Sequence, residues 1–230
     1  MENESFDISW ENNIYGQKKH FNDYPFDILV SIIAHRFYKI PLEKRKDIRI
    51  LDLGCGAGNN SKFLSEKGFS VYGVDGSKSA IDYCRRKFKT LNLEGTFEVA
   101  DFTNLPFNDS FFDCVIDRES LCANTGNVIR KVINDVYDKL KPNGVFLSFM
   151  YNEDHPDIKY GEKLEGATYH KFTAGSFQDI GKLHVTNIEE IREFFKKFKI
   201  LSITQHTVKD IFSIKKVVGN YDEYIIITEK

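Results

Sequence analysis

Residues 50–60 read ILDLGCGAGNN, an apolar run with one acid that leads into three glycines within five positions. The apolar run has the composition of a buried strand, and Gly54, Gly56 and Gly58 form a turn directly behind it. In sheets of parallel strands, ligands bind at the carboxyl ends of the strands, where such turns lie. The stretch therefore predicts a ligand site at the end of the first strand.

The turn does not match the patterns that bind pyrophosphate or phosphate. A dinucleotide turn reads G-x-G-x-x-G, and here Asn59 stands in place of the third glycine. A phosphate loop ends in G-K-[ST], whereas the chain continues Asn-Asn-Ser. Asp52, at the ligand end of the strand, would repel a phosphate and attract a cation. S-adenosylmethionine suits such a turn, because it carries an ammonium and a sulfonium but no phosphate.

Strand and helix patterns alternate along most of the chain. Five apolar strands alternate with helices, at 47–53, 69–75, 96–101, 111–117 and 145–151. KPNG at 141–144 reads as a turn, and a helix at 186–198 precedes two closing strands, KILSITQHTV and YDEYIIITEK. This alternation predicts an α/β fold, Rossmann-like, with a mostly parallel sheet covered by helices on both faces. We expect the closing strands to pair antiparallel.

Two further acids have positions that suit a nucleoside. Asp75 ends the second strand, 21 positions after Gly54, where a carboxylate can accept hydrogen bonds from both ribose hydroxyls. Asp101 ends the third strand and can accept from the amino group of adenine. The ring or the backbone amide of Phe102 can hold the base. These positions predict that the ligand contains adenosine.

The chain resembles the class I S-adenosylmethionine-dependent methyltransferases from about residue 45 to residue 151. The resemblance rests on ILDLGCGAGNN, VYGVDGSKSAIDYCRRK, VADFTNLPFNDSFFDCVID and LKPNGVFLSF, in that order. It implies a seven-stranded sheet with a reversed terminal hairpin and S-adenosyl-L-methionine as the cofactor. The cofactor-binding residues that follow from the resemblance and from the turn are Asp52, Gly54, Cys55, Gly56, Asn59, Asp75, Gly76, Ser77, Asp101, Phe102, Asp117 and Arg118.

Two segments outside these motifs divide the chain. Residues 1–44 form an N-terminal arm and helix, and residues 45–230 form the methyltransferase domain, with an irregular insertion at about 152–186 that we interpret as a substrate cap. The arm is rich in aromatic residues, including Trp10, and either packs on the domain or closes over the site as a lid. Its pattern W-x-x-x-I-Y-G followed by Y-P-F-D looks like that of small methyltransferases that modify bacterial surface saccharides.

Methyl transfer is an in-line displacement, so the protein must align the reactants and exclude water. A hydroxyl acceptor also needs a base, which we expect within 118–120 or 151–184. The candidate catalytic residues are His184, His155 and Glu119, with His170 behind them. A loop histidine without a chemical role remains the alternative for each histidine. The spacing of the histidines does not support a metal site.

The segment DRESL at 117–121 bears on the acceptor. Methyltransferases that act on the amino groups of nucleic-acid bases typically carry Asn or Asp, two prolines and an aromatic residue here, and this chain does not. Arg118 could bind an anionic substrate or pair with a neighbouring acid. With 34 acidic and 32 basic residues, the chain also lacks the basic excess of nucleic-acid binders.

The composition predicts a cytoplasmic protein with no membrane-spanning segment. No apolar run approaches the ~20 residues that span a bilayer. The four cysteines show no C-x-x-C pairing, so we expect reduced thiols. The partner is a small-molecule methyl acceptor, and exposed aromatic residues on the first helix could support a homodimer.

The sequence therefore predicts O-methylation of a small polar metabolite, such as a sugar-derived precursor of a capsule or surface polysaccharide. Two alternatives stay open. One is an N-methyltransferase for a small amine, which the absence of a base in the insertion would favour. The other is a non-catalytic S-adenosylmethionine-binding partner subunit, because an intact cofactor site does not require turnover.

Overall fold

A computed structural model of the protein describes residues 5–212 and 221–230. The strands of the described residues are β1 Arg49–Leu53, β2 Ser70–Asp75, β3 Thr96–Val99, β4 Phe112–Arg118, β5 Leu140–Tyr151, β6 Glu162–Glu165, β7 Thr168–His170, β8 Lys182–His184, β9 Lys199–Val208 and β10 Tyr221–Glu229. The α-helices are α1 Asp27–Phe37, α2 Leu42–Arg45, α3 Asn59–Glu66, α4 Lys78–Leu91, α5 Gly126–Lys139 and α6 Ile188–Phe194.

Seven of the described strands form the central sheet, in the order β3-β2-β1-β4-β5-β10-β9. The first five strands of that order run parallel, and β10 pairs antiparallel with both β5 and β9. The strand order turns back at β1, because β2 and β3 lie on one side of it and β4 on the other. Such a switch point opens a crevice at the carboxyl ends of the strands. The predicted Rossmann-like fold and its reversed terminal hairpin are confirmed.

Apolar side chains alternate between the two faces of the sheet. Ile50 packs with buried residues of α1, α3 and α4, whereas its neighbour Leu51 packs with those of α5 and α6. Cys114 and Val115 of β4 divide in the same way. This period of two buries both faces of the sheet. The carboxyl ends of β1, β2 and β4 are left between the helices.

The structure corrects the expectation of an irregular insertion at 152–186. Three short strands there, β6, β7 and β8, form an antiparallel sheet of their own. All four residues of β6 are exposed, so the strand carries no alternation of apolar and polar residues that the sequence could show. The three strands pair through the backbone, which a residue pattern does not reveal.

Two boundaries also differ from the sequence-based expectations. The segment 141–144, predicted as a turn, belongs to β5, whose pairing with β4 is irregular between Phe112 and Cys114. The third strand ends at Val99, so Asp101 lies in the turn beyond it. The aromatic arm forms one wide helical turn at Trp10–Tyr15 before α1.

We expect Phe146→Ala to lower the free energy of unfolding by about 3–5 kcal/mol, as truncations of fully buried phenylalanines do. The Phe146 ring lies in the core, with ring centroids 5.7 Å from Phe195 and 6.0 Å from Phe198. Urea unfolding followed by circular dichroism measures the loss. The control Phe212→Ala removes a ring that is 85% exposed and should change stability by less than about 0.5 kcal/mol. Equal losses in the two variants would contradict the assigned core.

Candidate functional site

A cavity of about 280 Å³ lies at the carboxyl ends of β1, β2 and β4. The N-terminal arm and the insertion complete its walls. Asn13 of the arm donates to the carbonyl of Asp179 at 2.9 Å, and Lys19 pairs with the carboxylate of the same residue at 3.3 Å. Nine residues proposed from the sequence line the cavity: Gly54, Cys55, Gly56, Asn59, Asp75, Gly76, Phe102, Arg118 and Glu119.

The glycine turn is fixed by its neighbour strand. The backbone N–H groups of Gly54 and Cys55 both donate to the carbonyl of Val74, at 2.8 and 3.0 Å. Gly54 has a φ of +74° and Gly56 a φ of +51°, in the left-handed region that favours glycine. A Cβ on Gly54 would also collide with the side chain of Ser120. The turn therefore brings bare backbone to the cavity wall.

Asp75 lies at the cavity with its carboxylate held from two sides. It accepts from the backbone N–H of Gly56 at 3.0 Å and from that of Ser77 at 2.8 Å. Burial raises its pKa to about 6, although both hydrogen bonds oppose the rise. A carboxylate has about four lone-pair positions, so this group can still accept from hydroxyl groups in the cavity.

Asp52 and Asp117 do not line the cavity. Asp52 accepts from the Ser61 hydroxyl at 2.6 Å, and burial raises its pKa to about 7. Asp117 accepts from the Ser148 hydroxyl at 2.8 Å and from the backbone of Ser120 at 2.9 Å, and burial raises its pKa to about 6. Both acids brace the turns behind the cavity. Their direct contact with a cofactor stays a prediction, which this placement does not favour.

Asp101 and Phe102 meet a residue of the N-terminal arm. Asp101 accepts from the Ser5 N–H at 3.0 Å and from the Ser5 hydroxyl at 2.7 Å, and the N–H of Phe102 donates to the same hydroxyl oxygen at 2.7 Å. Burial tends to raise the pKa of Asp101, but hydrogen bonds from Thr103 and Ser5 hold it below its usual value. Phe102 lines the cavity, and Asp101 does not.

The arm covers the strand ends through three further contacts. The carboxylate of Glu11 accepts from the Ser77 hydroxyl at 2.5 Å and from the backbone N–H of Ser79 at 3.2 Å, at the start of α4. Ser77 is buried and caps that helix by accepting from the N–H of Ala80. The Tyr15 hydroxyl occupies the space that a Cβ on Gly56 would need. The arm thus rests on the glycine turn itself.

Arg118 and Glu119 form a buried charge cluster beside the cavity. Arg118 pairs with Glu119 at 2.5 Å and with Glu223 at 3.2 Å, so it pairs with neighbouring acids. Tyr151 and Tyr221 both donate their hydroxyls to Glu119, the former at 2.6 Å. Burial raises the pKa of Glu119 to about 7, against the effect of Arg118. Glu119 has a φ of +63°, a strained conformation of the kind found at functional sites.

His184 and His155, the two histidines proposed first as bases, are not among the residues that line the cavity. His184 belongs to β8 and is 2% exposed, with Nδ1 at 2.8 Å from the Thr168 hydroxyl and Nε2 at 3.0 Å from Glu190. In His155, Nδ1 accepts from the backbone of Asp157, and burial lowers its pKa. Their catalytic roles stay predictions, and the hydrogen bonds of His184 indicate that it stabilises the insertion. Only Glu119 of the three proposed catalytic residues lines the cavity.

Several cavity residues were not singled out from the sequence: Ser5, Phe6, Asp7, Asn22, Tyr151 and Phe177. Gly76 has a residue type that indicates such a contact, because a glycine directly after Asp75 leaves room for another segment of the chain to pack there. The ring of Phe6 fills that room. Among the described residues, no three His, Cys, Asp or Glu side chains form a metal-binding group, and no helix is long and apolar enough to cross a membrane.

Comparisons with known proteins agree with this geometry. Residues 50–144 match the model of a family described as "Methyltransferase domain". The chain is 30% identical over 132 residues to a putative methyltransferase, YqeM, of Bacillus subtilis, covering 53% of this chain and 51% of that protein. It is 25% identical over 156 residues to a 24-methylenesterol C-methyltransferase of Oryza sativa, covering 61% and 42%. The chain thus spans about half the length of the curated relatives it matches.

Solved structures show the same fold. An S-adenosylmethionine-dependent methyltransferase from Methanosarcina mazei superposes with a TM-score of 0.71 at 19% identity, covering 90% of this chain and 98% of that one. A Burkholderia thailandensis 1,6-didemethyltoxoflavin N1-methyltransferase, solved with bound S-adenosylhomocysteine, superposes with a TM-score of 0.62 at 15% identity, covering 97% and 84%.

We expect Asp75→Ala to weaken the binding of S-adenosylhomocysteine by about 1–3 kcal/mol, because ribose hydroxyls and buried N–H groups would lose their acceptor. Isothermal titration calorimetry measures the change. Asp109→Ala is the matched control, since that carboxylate is 72% exposed and pairs with Lys139. An unchanged affinity in Asp75→Ala would show that Asp75 does not hold the ribose.

Proposed function

We propose that this chain, which by its matched domain and its fold belongs to the class I S-adenosylmethionine-dependent methyltransferases, transfers a methyl group to a hydroxyl of a small polar acceptor. One observation carries the proposal. One cavity is lined by the glycine turn and Asp75, the cofactor side of the site, and by Glu119 and Tyr151, which we take as its acceptor side. A cofactor site and a candidate base therefore share one cavity.

The residues at the cofactor end fit S-adenosylmethionine. The left-handed turn from Gly54 to Gly56 would receive the amino-acid part against bare backbone. Asp75 would accept from the ribose hydroxyls, and Phe102 would contact the adenine. When bound, the cofactor supplies a methyl group on a positively charged sulfur, which is a good leaving group. The buried acids behind the turn favour that positive charge.

Glu119 is the residue that we propose as the proton acceptor. Glu119 lines the cavity, and burial raises its pKa to about 7, near the pH at which a general base works best. Tyr151 orients the carboxylate by its hydrogen bond of 2.6 Å. Glu119 would accept the proton of the acceptor hydroxyl, whose oxygen would receive the methyl group that the cofactor supplies as the bond between that methyl carbon and sulfur breaks. The arm and the insertion exclude water from the reacting atoms.

The charges at the acceptor end favour an acceptor without an anionic group near its reacting hydroxyl. Arg118 is the only lysine or arginine among the described residues that line the cavity, and Glu119 and Glu223 already neutralise it. Asp7 and Asp75 add further negative charge to the lining. A carboxylate or phosphate beside these groups would be repelled. A sugar-derived hydroxyl, as in a capsule or surface-polysaccharide precursor, meets this requirement.

A small amine is the second acceptor class that the structure supports. The same negative charge would attract an ammonium ion, and Glu119 could accept its proton before transfer. The two acceptors differ in the acidity of the reacting group. The ammonium form of an amine loses its proton to water at accessible pH, whereas a sugar hydroxyl does not. A non-catalytic binding subunit would bind the cofactor and turn over neither acceptor.

The cellular setting belongs to the same proposal. All four cysteines are free and buried, which suits a reducing cytoplasm. The exposed aromatic residues near α1, Tyr24 and Tyr38, remain the basis for expecting a homodimer.

The first test is calorimetric titration with S-adenosylhomocysteine and, separately, with NAD. We expect micromolar binding of the first ligand and no binding of the second, because the turn lacks the third glycine of a dinucleotide site. Polar metabolites are then screened with labelled S-adenosylmethionine. Binding without transfer to any hydroxylated or amine acceptor would favour the non-catalytic alternative. Transfer to carboxylates in preference to neutral alcohols would contradict the proposed charge selectivity.

Glu119→Gln should lower kcat by about 10²–10⁴-fold with a hydroxyl acceptor, because the proton would lose its base. The affinity for S-adenosylhomocysteine should stay within about twofold, since Glu119 lies at the acceptor end. In the unchanged protein, kcat/KM should rise with pH through about 7 as Glu119 loses its proton. This rising limb should disappear in Glu119→Gln.

Two further variants control that experiment. Glu94→Gln changes an exposed glutamate far from the cavity and should leave kcat and the pH profile unchanged. His184→Ala distinguishes Glu119 from His184, because a base at His184 would make this variant as slow as Glu119→Gln. Full turnover in Glu119→Gln together with a slow His184→Ala would transfer the role to the histidine.

A further inference from the structure

Ser5 makes an unusual set of contacts at the end of β3. Its backbone N–H and its hydroxyl both reach the carboxylate of Asp101, at 3.0 and 2.7 Å. Its hydroxyl oxygen also accepts from the backbone N–H of Phe102 at 2.7 Å. One arm residue thus satisfies both the acid and the neighbouring N–H, although these groups lie 96 and 97 positions further along the chain.

Adenine would use the same two groups in the same way. Its amino group donates to a carboxylate, and the adjacent ring nitrogen accepts from a backbone N–H. Ser5 offers a donor to Asp101 and an acceptor to Phe102, so it reproduces the hydrogen-bonding edge of the base. We propose that Ser5 is an internal mimic of adenine, and that the arm and the cofactor therefore exclude each other at this subsite. This regulation rests on the proposed function of the site.

Phe6 supports the same interpretation. Its ring lies where a side chain on Gly76 would be, so closely that any Cβ there would collide with it. Gly76, Phe102 and both arm residues line the cavity. The arm therefore brings the aromatic ring of Phe6 next to the donor and acceptor groups of Ser5. An adenine base has the same combination, and the two cannot occupy one volume.

The arm has an anchor that can hold while Ser5 leaves. Glu11 accepts from Ser77 and from Ser79 at the start of α4, and Ile14 is 3% exposed. These contacts lie six and nine residues after Ser5, enough chain for the first segment to swing out. When it does, the Phe102 N–H loses its partner and Asp101 keeps its hydrogen bonds from Thr103 but loses those from Ser5, unless a base replaces Ser5. The subsite thus has two states in which its polar groups are satisfied.

Competition of this kind lowers the apparent affinity for the cofactor. The observed dissociation constant equals the intrinsic constant divided by the fraction of molecules whose arm is open. A change that weakens only the Ser5 contacts should therefore tighten cofactor binding. A lid that merely covers a bound cofactor predicts the opposite, since weakening the lid would loosen the complex.

The test is calorimetric titration of the full chain with S-adenosylhomocysteine. Ser5→Asp places a second carboxylate against Asp101 and should expel the segment, which lowers the dissociation constant by about three- to tenfold, the equivalent of roughly one net hydrogen bond. Ser5→Ala removes only the hydroxyl and should give a smaller gain. The matched control Asn12→Asp adds the same charge to an exposed position of the arm and should not alter the affinity.

The outcomes separate the inference from the function it rests on. Tighter binding in both Ser5 variants, or binding by Ser5→Asp where the wild type shows none, supports the mimic. Unchanged or weaker binding in both, with the wild type binding normally, overturns the mimic and leaves the methyltransferase function standing. An equal gain in affinity in Asn12→Asp would show that added charge alone causes the effect, and it would also overturn the mimic. Failure of every protein to bind S-adenosylhomocysteine would refute the proposed function itself, and the mimic with it.

Discussion

The two hydrogen bonds from the glycine turn to the carbonyl of Val74 fix the position of everything else at the site. They hold Gly54 and Cys55 against β2, at 2.8 and 3.0 Å. With the turn fixed, its backbone lies bare at the cavity, Asp75 can accept from Gly56, and the Ser120 side chain packs closely against Gly54. A side chain at either glycine would require the left-handed conformation to relax and would push these neighbours apart.

The same geometry concentrates buried acids at the strand ends. Asp52, Asp75 and Asp117 are each nearly inaccessible, and burial raises the pKa of all three. Hydroxyl and backbone N–H donors satisfy them, but the described structure gives none of the three an ion pair. An unneutralised negative field in a poorly solvated space favours a cationic ligand. The attraction for a cation that Asp52 alone predicts therefore extends to this whole edge of the sheet.

The sequence predicted the fold well because its signal is local and repeated. Apolar runs mark the strands, and the glycines from Gly54 to Gly58 and the acid Asp75 each mark the end of one strand. The order of the strands in the sheet follows from the resemblance to the family. The arrangement of the insertion and the arm was not predictable in the same way. Strand β6 has no buried residue. The Nε2 atom of His184 is held by Glu190, which lies on α6 and not in the cavity, and the sequence does not show this pairing. The contact of Ser5 with Asp101 joins residues 96 positions apart, and no periodicity marks either end.

A methyltransferase cavity must satisfy two demands that conflict. It must exclude water when the methyl group moves, and it must admit the cofactor between turnovers. An arm that is tied to α4 through Glu11 and whose Ser5, among the described residues, holds Asp101 and the N–H of Phe102 can satisfy both. The tied part stays over the strand ends, while the free part gives way to a ligand that offers the same hydrogen bonds. The polar groups of the subsite are then never left buried without a partner, and this lowers the cost of opening.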